Sequence, residues 1–160
     1  FRSRTFGKYM DVISINHYRL WEPDAAWMAN WEKWSGKPFI ITEFYTKGED
    51  SGLPNNTGAG WNVRTQADRG WFYQNFVTEL LRSGNCVGWH WFTYMDNDPQ
   101  NLKTDPSNRD SNKGVVAWNF EPYTVLLDEM KQLNDCTYRL IRHLDAEKSE
   151  ANRKTTDNHE

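Results

Sequence analysis

The chain has 160 residues, a formal net charge of −3, 38% hydrophobic residues and 26% charged residues, which is typical of one globular domain. The acidic balance argues against nucleic-acid binding, and no apolar run approaches the ~18 residues of a membrane span. Aromatic residues make up 15% of the chain, with nine Trp, and flat aromatic faces suit both sugar rings and large cores.

Strands and helices are predicted to alternate along the chain. Strands are recognised from short β-branched or continuously apolar runs, and helices from apolar residues three and four positions apart. The predicted elements in chain order are a strand over 11–18, a helix over 23–35, a strand over 38–44, a helix over 65–83, a strand over 86–92 and a helix over 122–144.

This alternation predicts an α/β domain over residues 1–145 with parallel strands and right-handed crossovers. Long polar loops over 45–62 and 94–113 follow the second and third strands. The carboxyl edge of such a sheet is where α/β folds place their sites. Residues 146–160 are polar without an apolar anchor, which predicts a disordered tail or linker.

Glu43 is the first candidate for a catalytic residue. It follows the apolar residues of the second strand, where an ionised carboxylate is costly unless it is paired or used. Tyr18, at the end of the first strand, is placed to donate a hydrogen bond that keeps Glu43 ionised, and His17 adjoins it. The alternatives are a strand-terminal salt bridge for Glu43, a core role for Tyr18 and structural hydrogen bonding for His17.

Aromatic residues of the third strand and of the first long loop are candidates for binding sugar. Trp89 and Trp91 lie two residues apart and share one face of the strand, with His90 on the other. Either Trp side chain can form the floor of a sugar site or pack in the core. Trp61 lies in a Gly-rich loop, where exposure is more common.

Tyr94 and Asp96 follow the third strand and complete the predicted substrate-binding set. Asp96 and Asp98 lack the Gly and distal Glu of a calcium-binding loop. His, Cys, Asp and Glu show no recognised metal-ligand spacing, and no phosphate-binding or dinucleotide motif occurs. The sequence therefore predicts no metal and no cofactor.

Three segments resemble strands six, seven and eight of clan-A glycoside hydrolases, which are (β/α)8 barrels. These segments are 11–18, 37–44 and 87–92. Within the clan, several stretches are similar to bacterial agarase-type enzymes: 47–54, 58–61, 87–92 followed by Tyr94 and Asp96, and 112–116 before 121–123. The resemblance covers residues 1 to about 144.

The resemblance implies a retaining β-glycosidase in which Glu43 is the nucleophile. Tyr18 and His17 would lie beside Glu43, and Trp89 or Trp91 would line the subsite of the reacting sugar. A second carboxyl group, about 5–5.5 Å away, would act as acid and then as base. The implied substrate is a polysaccharide or oligosaccharide, with an agar-type galactan favoured.

The chain departs from a complete enzyme of this clan in one respect. The clan's acid/base belongs to an Asn-Glu pair after strand four, and the chain contains no Asn-Glu dipeptide. We therefore expect the C-terminal portion of a barrel, inactive without its N-terminal half, from a secreted, periplasmic or cell-surface enzyme. The alternatives are another clan-A glycosidase, of β-galactosidase or cellulase type, and a non-catalytic carbohydrate-binding domain.

Overall fold

The computed structural model describes residues 2–101 and 103–157. Its regular elements in chain order are α1 (Arg2–Phe6), β1 (Ile13–Asn16), α2 (Ala25–Ser35), β2 (Phe39–Phe44), β3 (Thr46–Gly48), β4 (Trp61–Val63), α3 (Gln66–Ser83), β5 (Cys86–Trp91) and α4 (Thr124–Asp157). Helix α1 has no counterpart among the predicted elements, because five residues are too few to show a helical period.

The main sheet has three parallel strands in the order β1–β2–β5. The prediction that these strands are parallel neighbours in chain order is confirmed. Helix α2 lies between β1 and β2 in the chain, and α3 lies between β2 and β5, as parallel neighbours require. The carboxyl ends of all three strands therefore lie at one edge of the sheet.

The core lies between one face of this sheet and the helices. Phe39 and Ile41 of β2 are fully buried in one cluster with Phe76, Val77 and Leu80 of α3. The buried residues that α4 adds to this cluster are Leu126, Met130, Leu133 and Leu144. Each such side chain stabilises the fold by roughly 1.5–3 kcal/mol through removal from water.

The opposite face of the sheet is open. Val12 exposes 39% of its surface and Val87, in β5, exposes 61%. Within the described residues, β1 and β5 each pair with a neighbour along one edge only. The sheet is thus covered by helices on one side and has two unpaired edges.

Helices α2 and α3 begin and end at residues suited to those positions. Asp24 caps α2 by accepting a hydrogen bond from the backbone N of Trp27 at 2.8 Å, and Thr65 forms a capping box at the start of α3. Each satisfies a backbone donor that the first turn leaves unpaired. Gly36 and Gly84 end the two helices with φ of 65° and 80°, a conformation that glycine adopts without steric cost.

The segment predicted as a polar loop over 45–62 is more ordered than expected. Strand β3 follows β2 after one residue and pairs in parallel with β4, forming a second, two-stranded sheet. A short 3₁₀ helix spans Glu49–Ser51 between them. Strands of three residues are too short to show an alternating pattern, so they are not predictable from the sequence.

Helix α4 is longer than the sequence predicted. It continues through Asp157, whereas the predicted helix ended at residue 144 and a disordered tail or linker was expected over 146–160. Residues 146–157 contain no Gly or Pro and several Ala, Glu, Lys and Arg, which favour helix without needing a core. The rest of that prediction, over 158–160, lies outside the described residues. Among those described, no helix is long and apolar enough to cross a membrane.

Candidate active site

A β-bulge near the end of β2 sets the direction of the Glu43 side chain. Ile41 pairs with Trp89 and Phe44 with Trp91 on β5, so Thr42 and Glu43 together face one residue of that strand. Strict alternation would place Glu43 under the helices with Ile41. The extra residue instead leaves both Ile41 and Phe44 buried on the helix side and Glu43 half-buried. Re-aiming a side chain is a known effect of bulges.

Tyr18 meets Glu43 at this edge of the sheet. Its hydroxyl donates a short hydrogen bond to Oε2 of Glu43, and the backbone N of His17 donates to the Glu43 carbonyl at 2.8 Å. Burial first, and then the hydrogen bond to and charge of Glu43, raise the pKa of Tyr18 above its usual value. The phenol therefore stays protonated and remains a donor to the carboxylate.

The side chain of His17 lies on the other side of the sheet, which corrects the sequence-based placement beside Glu43. Its ring stacks on Trp27 at 6.0 Å and meets Trp31 and Phe76 edge-on at 5.9 and 5.7 Å. Burial lowers its pKa, opposed by the charge of Asp24. Consecutive residues of an extended chain point to opposite faces, so Tyr18 and His17 are separated although they are adjacent.

Trp89 and Trp91 also face the helices, so neither forms the floor of a site next to Glu43. The indole N–H of Trp89 donates to the Tyr73 hydroxyl at 2.8 Å, and that of Trp91 donates to the Lys113 carbonyl at 2.8 Å. Both pack against the hydrophobic core. The alternative core role is the one the structure supports, because their β5 positions pair with buried residues of β2.

Asp96 is 1% exposed and its oxygens are engaged by the protein, contrary to the predicted substrate-binding role. Oδ1 accepts from the backbone N of Lys113 at 2.7 Å and of Gly114 at 2.6 Å. Oδ2 accepts from Nδ2 of Asn112 at 2.9 Å and from the Tyr123 hydroxyl at 2.7 Å. A buried carboxylate needs such donors, and here they leave no room for a sugar hydroxyl.

The remaining predicted residues are accessible. His90 is exposed and lies across from the bulge of β2 that contains Thr42 and Glu43. Trp61 is 49% exposed and Tyr94 is 70% exposed. Of the sequence-predicted set, the structure therefore brings Glu43, Tyr18 and His90 to one part of the open edge, and it leaves Trp61 and Tyr94 on the surfaces of the two long loops.

A wall of residues beside Tyr18, formed by Tyr45, Phe92, Lys113 and Asp105, was not predicted from the sequence. The ring of Tyr45 meets that of Tyr18 at 5.7 Å and that of Phe92 at 5.7 Å. The ammonium of Lys113 lies 5.3 Å from the Phe92 ring and 2.6 Å from the Asp105 carboxylate. Burial chiefly raises the pKa of Tyr45, and the charge of Asp105 adds to this effect at both tyrosines. The charge of Asp105 thus acts on the two tyrosines that lie nearest to each other at this edge of the sheet.

The two long loops that form this wall are joined to each other. The Asp110 carboxylate accepts from the backbone N of Asn56 at 3.1 Å and of Thr57 at 2.8 Å. The Asn112 side-chain oxygen accepts from the backbone N of Gly48 at 3.0 Å and from Nε2 of Gln66 at 2.8 Å. These contacts connect residues 46 to 64 positions apart, and no local sequence pattern reveals them.

The chain is similar in sequence to beta-agarase A of Vibrio sp. (strain JT0107). The two are 30% identical over 132 residues, which cover 78% of this chain and 12% of the agarase. No protein-family model matches the chain. The sequence similarity therefore links most of this chain to a small part of an agarase.

Solved structures give the same relationship. The crystal structure of BpGH50 superposes with a TM-score of 0.80 and 44% identity, covering 89% of this chain and 29% of that one. An exo-beta-agarase superposes with a TM-score of 0.74 and 29% identity, covering 87% of this chain and 18% of that one. The chain thus spans less than a third of the length of each of these relatives.

Proposed function

We propose that this chain forms the last part, strands six to eight, of a (β/α)8 barrel in a retaining β-glycosidase that cleaves an agar-type galactan. Three parallel strands with helices on one face and an open opposite face support the barrel assignment. The similarity to beta-agarase A and to an exo-beta-agarase supports the substrate class. Because a galactan polymer does not cross a membrane, we also propose a secreted, periplasmic or cell-surface location.

The observation that carries the proposal is the contact between Tyr18 and Glu43 at the carboxyl edge of the sheet. We assign Oε1 of Glu43 to attack the anomeric carbon while the bond to the leaving oxygen breaks and that oxygen takes a proton from an acid. The product is a covalent glycosyl ester, which water then cleaves with the same acid residue acting as base. Tyr18 donates to Oε2 and so orients the carboxylate.

The acid/base residue belongs, in this proposal, to the remaining part of the barrel. The chain contains no Asn-Glu dipeptide, and retention requires a second carboxyl group about 5–5.5 Å from Glu43. The open face beside Glu43 is where that group would approach. The remaining barrel strands are therefore the expected partner of this chain, along the unpaired edges of β1 and β5.

Substitution of Glu43 in the full-length protein tests the proposal. Glu43→Gln and Glu43→Ala should each lower turnover of agarose and of a nitrophenyl β-galactoside by several orders of magnitude, because each removes the nucleophile. The matched control is Glu49→Gln, since Glu49 is an exposed carboxylate outside the proposed site. Azide added to the Glu43→Ala enzyme should restore turnover and give a product of inverted anomeric configuration in proton NMR.

Three results would count against the assignment. Retention of more than about a tenth of wild-type turnover by Glu43→Ala, a loss below ~1.4 kcal/mol, would move the nucleophile to another carboxylate. Absence of turnover in the wild-type protein together with agarose binding that survives Glu43→Gln would favour the non-catalytic binding domain. Turnover of a β-glucoside in preference to the galactoside would favour another clan-A glycosidase.

A further inference from the structure

Arg69 is a fully buried cation that the proposed reaction does not use. Its guanidinium donates from Nε to the Thr46 carbonyl at 2.9 Å and from one terminal nitrogen to Oε1 of Gln66 at 2.6 Å. The other terminal nitrogen donates to the Gly114 carbonyl at 2.9 Å. One side chain of α3 therefore holds both the loop after β2 and the loop after β5.

All three acceptors of Arg69 are neutral, so its charge must be balanced by a group further away. The strongest candidate is Asp96: burial lowers the pKa of Arg69 to about 10, and among the opposing influences the charge of Asp96 is the largest. Gly114 joins the two: its N–H donates to Asp96 and its carbonyl accepts from Arg69. Tyr123 joins them again, donating its hydroxyl to Asp96 while its ring lies 5.4 Å from the guanidinium.

A buried charge without a partner is strongly unfavourable, and a buried pair is tolerated only when further hydrogen bonds satisfy both ions. Arg69 and Asp96 meet this condition through peptide and phenol groups. The geometry also requires the planar guanidinium of arginine. Its three acceptors lie on different elements, and the single ammonium group of a lysine at this position could not reach all of them.

The groups held by this pair lead directly to the proposed active site. Asp96 accepts from the backbone N of Lys113, and the Lys113 side chain forms the ion pair with Asp105 beside Phe92. The charge of Asp105 also contributes to raising the pKa of Tyr18. Phe92 packs against Tyr45, and Tyr45 packs against Tyr18, so a shift of the Lys113 backbone would disturb the rings that support Tyr18.

We propose that Arg69 and Asp96 act as one charge-balanced positioning unit, which fixes Lys113 and Gly114 and so holds the Lys113–Asp105 pair against Phe92, in the row of rings that supports Tyr18. The inference rests on the proposed function for its catalytic consequence. The two residues are positioning residues, since neither reaches the edge where substrate would bind.

The first test measures the unit itself, without reference to activity. Amide hydrogen exchange is followed at Lys113 and Gly114 in wild type, Arg69→Lys, Arg69→Met, Asp96→Asn and the double variant Arg69→Met/Asp96→Asn. Arg69→Met and Asp96→Asn each remove one charge, and each should lower the melting temperature and speed exchange at these two amides. The double variant should lose less stability than the sum of the two, because no unpaired charge stays buried. Additive losses would overturn the charge-balanced unit.

The second test measures kinetics in the full-length protein on the nitrophenyl β-galactoside. Arg69→Lys keeps the positive charge but loses the guanidinium donors that reach the three acceptors. It should lower kcat about tenfold or more with little change in KM, because misplacement of a catalytic group has this effect. The control is Leu144→Ala, which removes core packing on α4 about 30 Å along the helix from Tyr123. It should lower the melting temperature and leave kcat unchanged at a temperature well below the transition.

The outcomes separate this inference from the proposed function. The positioning role would be overturned if Arg69→Lys had the same kcat and the same exchange rates as the wild type. It would also be overturned if Leu144→Ala lost as much kcat as Arg69→Lys. A wild-type protein without glycosidase activity would instead refute the proposed function, and the exchange and double-variant data would still decide whether Arg69 and Asp96 act as one unit.

Discussion

Replacing Tyr18 by Phe removes one hydroxyl and leaves the ring that packs on Tyr45. The hydroxyl donates to Oε2 of Glu43, and a hydrogen bond to a charged group contributes about 1.5–3 kcal/mol. Because the pair is half-buried, we take about 2 kcal/mol, which corresponds to a fall of about 30-fold in kcat/KM. This loss should be far smaller than that of Glu43→Ala, since the proposed nucleophile, the Glu43 carboxylate, is still present.

The assay is steady-state kinetics of the full-length protein on agarose and on the nitrophenyl β-galactoside. The matched control is Tyr138→Phe, because Tyr138 lies on α4 and is 79% exposed, so its hydroxyl is hydrated rather than engaged near Glu43. A Tyr18→Phe enzyme that cannot be distinguished from Tyr138→Phe would refute the idea that the phenol orients the nucleophile.

Two further predictions concern stability and can be measured by urea denaturation. Because burial lowers the pKa of His17 below 6.5, the unfolded state binds more protons below that pH and the free energy of unfolding should fall as the pH drops through this range. His17→Phe should reduce that pH dependence; an unchanged slope would contradict the buried placement. A Cβ at Gly114 would lie 2.5 Å from the backbone N of Asp96, whereas one at Gly88 would meet only the Ile40 side chain at 3.4 Å. Gly114→Ala should therefore cost about 1–3 kcal/mol and Gly88→Ala much less, and equal costs would argue against the close approach of the Gly114 backbone.

Most of the secondary structure of this fold could be predicted from local patterns. The apolar run of β2 and the helical spacing of Phe72, Phe76 and Leu80 in α3 predicted elements that the structure confirms within a few residues. Their order predicted parallel pairing, because a helix between two strands acts as a crossover. These features depend on burial and periodicity, which are local properties of the sequence.

The side-chain directions at the site were harder to predict. Alternation alone, continued past the end of β1, separates His17 from Tyr18 and would have prevented the misplacement of His17. In β2 the same rule fails, because the bulge at Thr42 and Glu43 reverses which residues after it point toward the helices. The bulge depends on pairing with both neighbouring strands, and a single strand sequence does not contain that information.

The role of Asp96 depended on contacts that are distant in the chain. Its partners Asn112, Gly114 and Tyr123 follow it by 16, 18 and 27 positions. A polar residue in a polar loop is usually exposed, so the sequence favoured a binding role. Only the three-dimensional path of the loop after β5 shows that this carboxylate accepts hydrogen bonds from the protein itself.

The hydrogen bonds between the two long loops have a consequence for protein engineering. Asp110 and Asn112 of one loop accept from backbone groups of the other, so neither loop has a complete set of partners by itself. Exchanging one loop for that of a relative would leave the buried N–H of Gly48 without its acceptor, at a cost of about 1–3 kcal/mol. Gln66 and Arg69 at the start of α3 also donate to groups of these loops. A chimera that transfers residues 45–69 and 93–123 together keeps all of these bonds, and the two segments should therefore be grafted as one unit.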